Sequence, residues 1–242
     1  MADPLLYTVA AWKGGVGKTT LAYELAYQLG AVLLDLDWDR GGATRAWGYR
    51  TEERVRAPLV EAIEKGAGTP RVLRGRRKPD LVPSHEDLVE VQPPAEAMAD
   101  MVTRWAKEWD RDVVVDTHPG GLPTTYGAMA AAHVVLVPSP FGEKEFEALQ
   151  GMVDQVADYP LMVIPNKMPP VPMARDIARM RRITEPVGIP VGPPVSSQVW
   201  IPRRTLRVAI SSPPVSKRAA EYVDEIARVA EAARAAAEAA RA

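Results

Sequence analysis

The sequence predicts an α/β fold, a doubly wound and mostly parallel sheet with helices on both faces, and three observations carry that prediction. Five short, nearly continuous apolar runs recur at wide spacing: Leu5–Ala11, Ala31–Asp37, Val113–Asp116, His133–Pro138 and Leu161–Pro165. Parallel strands covered on both faces have this pattern. Helical periodicity fills the stretches between them, the alternation expected of βαβ units. The first run ends in a glycine-rich turn, Lys13-Gly14-Gly15-Val16-Gly17-Lys18-Thr19-Thr20, which opens into a helical pattern.

Each helix is justified by an apolar stripe. Thr19–Leu29 places Leu21, Leu25 and Leu29 on one side. Ala95–Trp109 sets Met98, Met101, Val102 and Trp105 at helical spacing, and Glu143–Ala157 does the same with Phe146, Leu149, Val153 and Val156. These Met and Trp stripes read as core. From Ser216 the chain is an alanine-rich helix to about residue 240, with Tyr222, Ile226 and Val229 on one face and its last alanine turns expected to fray. Residues 66–78 read as a surface excursion, mobile and basic, with Arg71, Arg74, Arg76, Arg77 and Lys78 and no acid. No internal repeat or flexible linker appears, so residues 1–242 are expected to form a single unit.

Composition excludes several classes. The chain has 242 residues, 47% apolar and 25% charged, with net charge −1, so any affinity for nucleic acid must come from local patches. It has no cysteine, which removes disulfides, thiolate metal sites, iron–sulfur chemistry and thiol nucleophiles. Metal-ligand spacing is absent among His85, His118 and His133. No apolar run approaches membrane-spanning length and Met-Ala-Asp-Pro carries no leader signal, so a cytoplasmic protein off the membrane is expected. Arginine outnumbers lysine 22 to 8, with 23 prolines and one asparagine, Asn166. Thermal adaptation and a GC-rich genome both produce such a bias. A solitary asparagine marks a position where chemistry could demand it.

The turn after the first strand has the chemistry of a phosphate cradle. Its glycines let consecutive N–H groups of Gly14, Gly15, Val16 and Gly17 converge, and the following helix adds its positive end. Lys18 suits the β- and γ-phosphates of a nucleotide, and the Thr19 hydroxyl suits Mg²⁺, with Thr20 beside it. Val32-Leu33-Leu34-Asp35-Leu36-Asp37 ends a buried strand in two carboxylates, and ligands of open α/β sheets bind at strand carboxyl ends. Val113-Val114-Val115-Asp116 brings a third carboxylate to that edge, where it and Asp37 can serve Mg²⁺ together with Thr19. Gly120 and Gly121 follow in a loop free to respond to a γ-phosphate. His118 reads as a filler of that loop.

Position 12 holds Trp where the general G-x-x-x-x-G-K-[ST] pattern has glycine, and Lys13 adds a second lysine. This resembles the deviant Walker A box of the ParA/MinD superfamily of dimeric ATPases, with the resemblance covering nearly the whole chain. It implies a deviant Walker A P-loop NTPase fold and an Mg²⁺-dependent ATPase of weak intrinsic activity. By the resemblance, Lys13 reaches across a homodimer to the partner's nucleotide, and Asp37 positions the attacking water with Asp35 in support. Trp38-Asp39 replaces the family's Pro-Gln, and His118 its proline.

Asn166, at the end of Ile164-Pro165-Asn166, resembles the residue that reads the adenine edge, and Pro193-Pro194-Val195 resembles the loop against the ring. Asn166 equally suits a simple turn. From Val171 to Arg218, Arg175, Arg179, Arg181, Arg182, Arg203, Arg204, Arg207, Lys217 and Arg218 face only Asp176 and Glu185. Read alone, this is a DNA surface or a solvated basic face. The resemblance implies nonspecific DNA binding by residues 171–218 in the ATP state, release by a ParB-like centromere-binding adaptor, and a nucleoid-associated cytoplasmic location. The first strand starts by Leu5, which implies the short form without an N-terminal helix-turn-helix. The cargo implied is a plasmid or chromosome. The alternatives are a MinD-like positioning ATPase for another cargo or a membrane site, and a P-loop metabolic enzyme.

Overall fold

A computed structural model describes residues 3–39, 42–50 and 57–241. Six strands form one sheet: β1 (Leu6–Val9), β2 (Val32–Asp35), β3 (Asp80–Val82), β4 (Val113–Asp116), β5 (Val134–Ser139) and β6 (Leu161–Pro165). Their order is β3-β2-β4-β1-β5-β6 and every pairing is parallel. The helices are α1 (Lys18–Leu29), α2 (Ala43–Trp47), α3 (Pro58–Lys65), α4 (Ala95–Trp109), α5 (Pro123–Ala131), α6 (Glu143–Val156), α7 (Ala174–Thr184) and α8 (Ala220–Arg241).

The period of two along each strand divides the core between the two faces. Tyr7, Val9, Leu33, Val114, Leu136, Met162 and Ile164 face α1 and α8, meeting Leu21, Leu25, Tyr222, Ile226 and Val229. Val32, Leu34, Val82, Val113 and Val115 face the other way, onto Leu59 and Ile63 of α3 and Met98, Val102 and Trp105 of α4. On that same side Val135, Val137, Leu161 and Val163 meet Phe146, Leu149 and Val153 of α6 and Met180 and Ile183 of α7. A sheet buried on both faces explains why its strands read as unbroken apolar runs.

Two sequence expectations change. Residues 66–78 are tied to the body instead of standing free. The indoles of Trp105 and Trp109 donate to the carbonyls of Gly68 and Pro70, and Leu73 exchanges backbone hydrogen bonds with Leu81 of β3. The missing acid is supplied by Asp80, which accepts from Arg74 and from the Gly75 amide at 2.6 and 2.8 Å. The last turns of α8 remain helical because Ala233 and Ala237 are buried and Arg241 donates to the Asp3 carbonyl at 2.7 Å. Among the described residues no helix is long and apolar enough to cross a membrane.

Candidate functional site

Strand register assembles the site. β4 lies between β1 and β2, with Asp116 level with Val9 on one side and Asp35 on the other. The parity that sends Leu33 and Val114 toward α1 sends Asp35 and Asp116 there too, beneath the start of the helix that carries Lys18 and Thr19. Both carboxylates are fully buried, and Lys18 and Asp37 are nearly so. The glycine-rich loop, Asp35 and Asp37 at and beyond the end of β2, and Asp116 at the end of β4 thus meet at the strand carboxyl ends.

The phosphate loop is shaped from below. Gly15 and Gly17 hold φ of 77° and 99°, in the left-handed region. A Cβ on Gly17 would lie 2.5 Å from the Asn166 amide nitrogen, so the position excludes any side chain. That amide donates to the Val16 carbonyl at 2.7 Å, and Lys167 Nζ donates to the Gly15 carbonyl at 2.6 Å. Asn166 therefore buttresses the loop, a role beyond base reading or a turn. Val195 N donates to the Pro165 carbonyl, and Val195 accepts from Met168 N, which sets exposed Pro194 beside Asn166. Trp12 packs edge-on against Tyr126 and donates to Gln155, filling space between α5 and α6.

Asp35 organises the loop that follows it. One oxygen accepts from Asp37 N at 3.0 Å and the other from Thr44 N at 2.5 Å, at the first turn of α2. Asp37 accepts from Asp39 N at 3.1 Å, which fixes its carboxylate beside the end of β2. Burial pushes Asp35 up to about 7. Burial also raises Asp37, against the Asp39 amide and the nearby His118 and Lys18. Asp116 is raised well above the usual range by burial and by the charges of Asp35 and Asp37. Burial lowers Lys18, and the carboxylates of Asp116, Asp37 and Asp39 oppose it.

Among the described residues no well-formed hydrogen bond reaches either oxygen of Asp116, although the Thr19 hydroxyl lies close enough to favour its charge. A buried carboxylate beside two others, with Lys18 the nearby ammonium, fits a divalent cation. Thr19 and Asp116 would hold Mg²⁺, with Asp37 near it, and the ion would neutralise charge on the β- and γ-phosphates.

Several participants were invisible in the sequence. Lys13 is ion-paired with Glu145 in the first turn of α6, 132 positions away and without a motif to announce it. Trp38 and His118 lie stacked, ring centroids 4.1 Å apart and planes 6° apart, joining the loops after β2 and β4. His118 Nδ1 donates to the Pro119 carbonyl at 2.8 Å, and Nε2 stands 3.4 Å from Asp39 Oδ2. His118 thus links the two loops and is more than a filler. Asp37, Asp39 and His118 each offer one ligand atom within 4.8 Å of the others.

The basic segment 171–218 does not form one surface. Arg175, Arg179 and Arg182 ride on α7, on the α6 side of the sheet, where Arg179 pairs with Glu143 and Arg175 with Asp176. Trp200, Ile201, Ala209 and Ile210 pack with α1 and α8 on the opposite side, and they carry Arg203, Arg204 and Arg207 with them. Arg218 sits over the Trp200 ring, which places Lys217 and Arg218 with this second group.

A family model described as an AAA domain matches residues 6–160. The chromosome-partitioning ATPase Soj of Thermus thermophilus is 33% identical over 155 residues, covering 62% of this chain and 59% of Soj. The chain spans between half and six-tenths of the length of the curated relatives it matches first. Among solved structures, apo McdA of Cyanothece superposes with a TM-score of 0.76 at 17% identity, over 96% of this chain and 100% of that one. A plasmid partition protein of Borrelia burgdorferi bound to AMPPNP gives 0.73 at 20% identity, over 95% and 98%. These likenesses are to the fold, and Asn166, Pro194 and the basic segment lie beyond the family match.

Proposed function

This chain belongs to the AAA domain family, and from that premise we propose that it is a ParA-type ATPase acting as an ATP-gated DNA-partition switch. ATP with Mg²⁺ closes a homodimer, the dimer holds DNA without reading its sequence, and a ParB-like adaptor stimulates slow hydrolysis and release. The observation that carries this reading is the convergence of Lys13, Lys18, Asp37 and Asp116 at the carboxyl ends of β1, β2 and β4.

In this scheme the amides of Gly14 to Gly17 and the Lys18 ammonium clasp the phosphates. Asp37, held beside the end of β2 by the Asp39 amide, aligns the water that attacks the γ-phosphate. Asn166 and Pro194 border the base. Lys13 exchanges Glu145 for the phosphate of the facing subunit. Arg203, Arg204, Arg207, Lys217 and Arg218 meet DNA. The α8 face that would make a membrane anchor offers alanines, with Ala233 and Ala237 already buried, so a lipid-bound reading gains nothing.

The test is a titration of random-sequence duplex with ATP, ADP and no nucleotide. Sequence-blind binding confined to ATP supports partition. Equal binding in all three states, or none, overturns it.

A further inference from the structure

The turn at Gly75–Lys78 is far from residues 203–218 in sequence and joins them in space. Ala209 N donates to the Arg77 carbonyl at 2.8 Å. The Arg207 side chain covers Gly48, just past α2, and Lys78 lies over the Trp47 ring of α2 at 3.3 Å while donating to its carbonyl at 2.9 Å. Lys78 feels the charge of Arg207, which with burial lowers its pKa. The Tyr23 hydroxyl of α1 donates to the Arg207 carbonyl at 3.4 Å, fixing that strand of chain against the body.

The turn is held while its cations are left over. Asp80 accepts from Gly75 N and Arg74, and also from Arg111 at 2.6 Å, so this acid is already spent on the base of the turn. Arg77 holds φ of 65°, a left-handed conformation that glycine or asparagine adopts more readily. Arg76, Arg77, Arg203, Arg207 and Lys217 are exposed and make no ion pair among the described residues. The α7 arginines differ: Arg175 and Arg179 are neutralised locally and stand across the sheet.

We propose that Arg76 and Arg77 are phosphate-contacting residues of a double-stranded DNA surface continuous with Arg203, Arg204, Arg207 and Lys217, and that the α7 arginines lie outside it. This rests on the DNA-binding reading above and narrows it. Planar guanidiniums on a fixed turn match phosphate oxygens in register, and contacts of this kind position a duplex without reading its bases. Salt dependence follows, with about 0.9 log unit of affinity per log unit of salt for each contact.

The experiment follows anisotropy of a labelled random-sequence duplex with ATP across a salt series. The variant pairs Arg76→Ala with Arg77→Gly, because glycine keeps the left-handed backbone without strain. Affinity is expected to fall at least about tenfold near 0.1 M salt, and the log–log salt slope by about 1.8. Arg175→Glu with Arg182→Glu is expected to leave both unchanged. In the wild-type protein, phenylglyoxal labelling read by mass spectrometry should show duplex protecting Arg76 and Arg77 and sparing Arg175, which needs no variant to fold. An unaltered slope with Arg76 and Arg77 unprotected, in a protein that binds DNA, overturns the surface. Wild-type binding to phosphatidylglycerol vesicles in place of duplex also overturns it. A wild-type protein that binds duplex in no nucleotide state defeats the underlying reading instead.

Discussion

Lys13 and Lys18 stand five positions apart and have different fates. Lys18 is buried amongst carboxylates, a placement that suits the proposed contact with its own subunit's phosphate. Lys18→Ala is expected to weaken ATP binding about a hundredfold, the ~3 kcal/mol of a charge-assisted contact, measured by calorimetry. Micromolar affinity in that variant would contradict the cradle. Lys13 is half-exposed and tethered by Glu145. Asp39 and His118 are the reverse case from Lys18, since nothing in the sequence set them in contact. Their stacked neighbour Trp38 gives a readout: Trp38→Ala should lower kcat severalfold at unchanged nucleotide affinity, while Trp38→Phe should retain most of it. Equal rates in all three proteins would sever the link between the loops.

At the scale of elements, what the sequence disclosed follows packing. α4 has the bounds its stripe predicts, Ala95–Trp109, because one face is core and the other is water. β3 went unseen: Asp80, Leu81 and Val82 are too few to make a run, and only neighbours make them a strand. α5 was silent because its small residues, Gly127 and Ala128 among them, carry no amphipathic stripe. The P-loop and both carboxylate strands were legible since one local segment fixes each. The split basic segment was not, because adjacency along the chain says nothing about which face of the sheet a residue will reach.

The base of the 75–78 turn gives this scale its prediction. Burial alone would raise Asp80, but Arg111, the Gly75 amide and Arg74 overcome it and hold the carboxyl below its ordinary value. A depressed acid stabilises the fold above its ordinary pKa of 3.8 and loses that contribution as pH falls through the depressed value. Asp80→Asn should cost about 1–3 kcal/mol near neutrality by urea melts, and the gap to wild type should shrink below about pH 4. A gap constant across that range would mean the carboxylate is not what ties the turn.

For the molecule as a whole, the expected switch is a change of assembly. Lys13→Ala should bind ATP as a monomer with near-normal affinity and fail to double its mass with ATP, read by light scattering. Glu145→Gln, which releases the lysine, should dimerise at lower protein concentration than wild type. A Lys13→Ala protein that still dimerises would show that the interface needs no reaching lysine.

The crowding of Asp35, Asp37 and Asp116 around one ammonium has a consequence for how long the protein lasts. On the proposed reading, magnesium nucleotide would supply the positive charge that these buried acids share too little of, and so act as part of the chain's scaffolding. Its melting point should then climb with the logarithm of ligand supply, making heat tolerance a gauge of how well fed with fuel the molecule is.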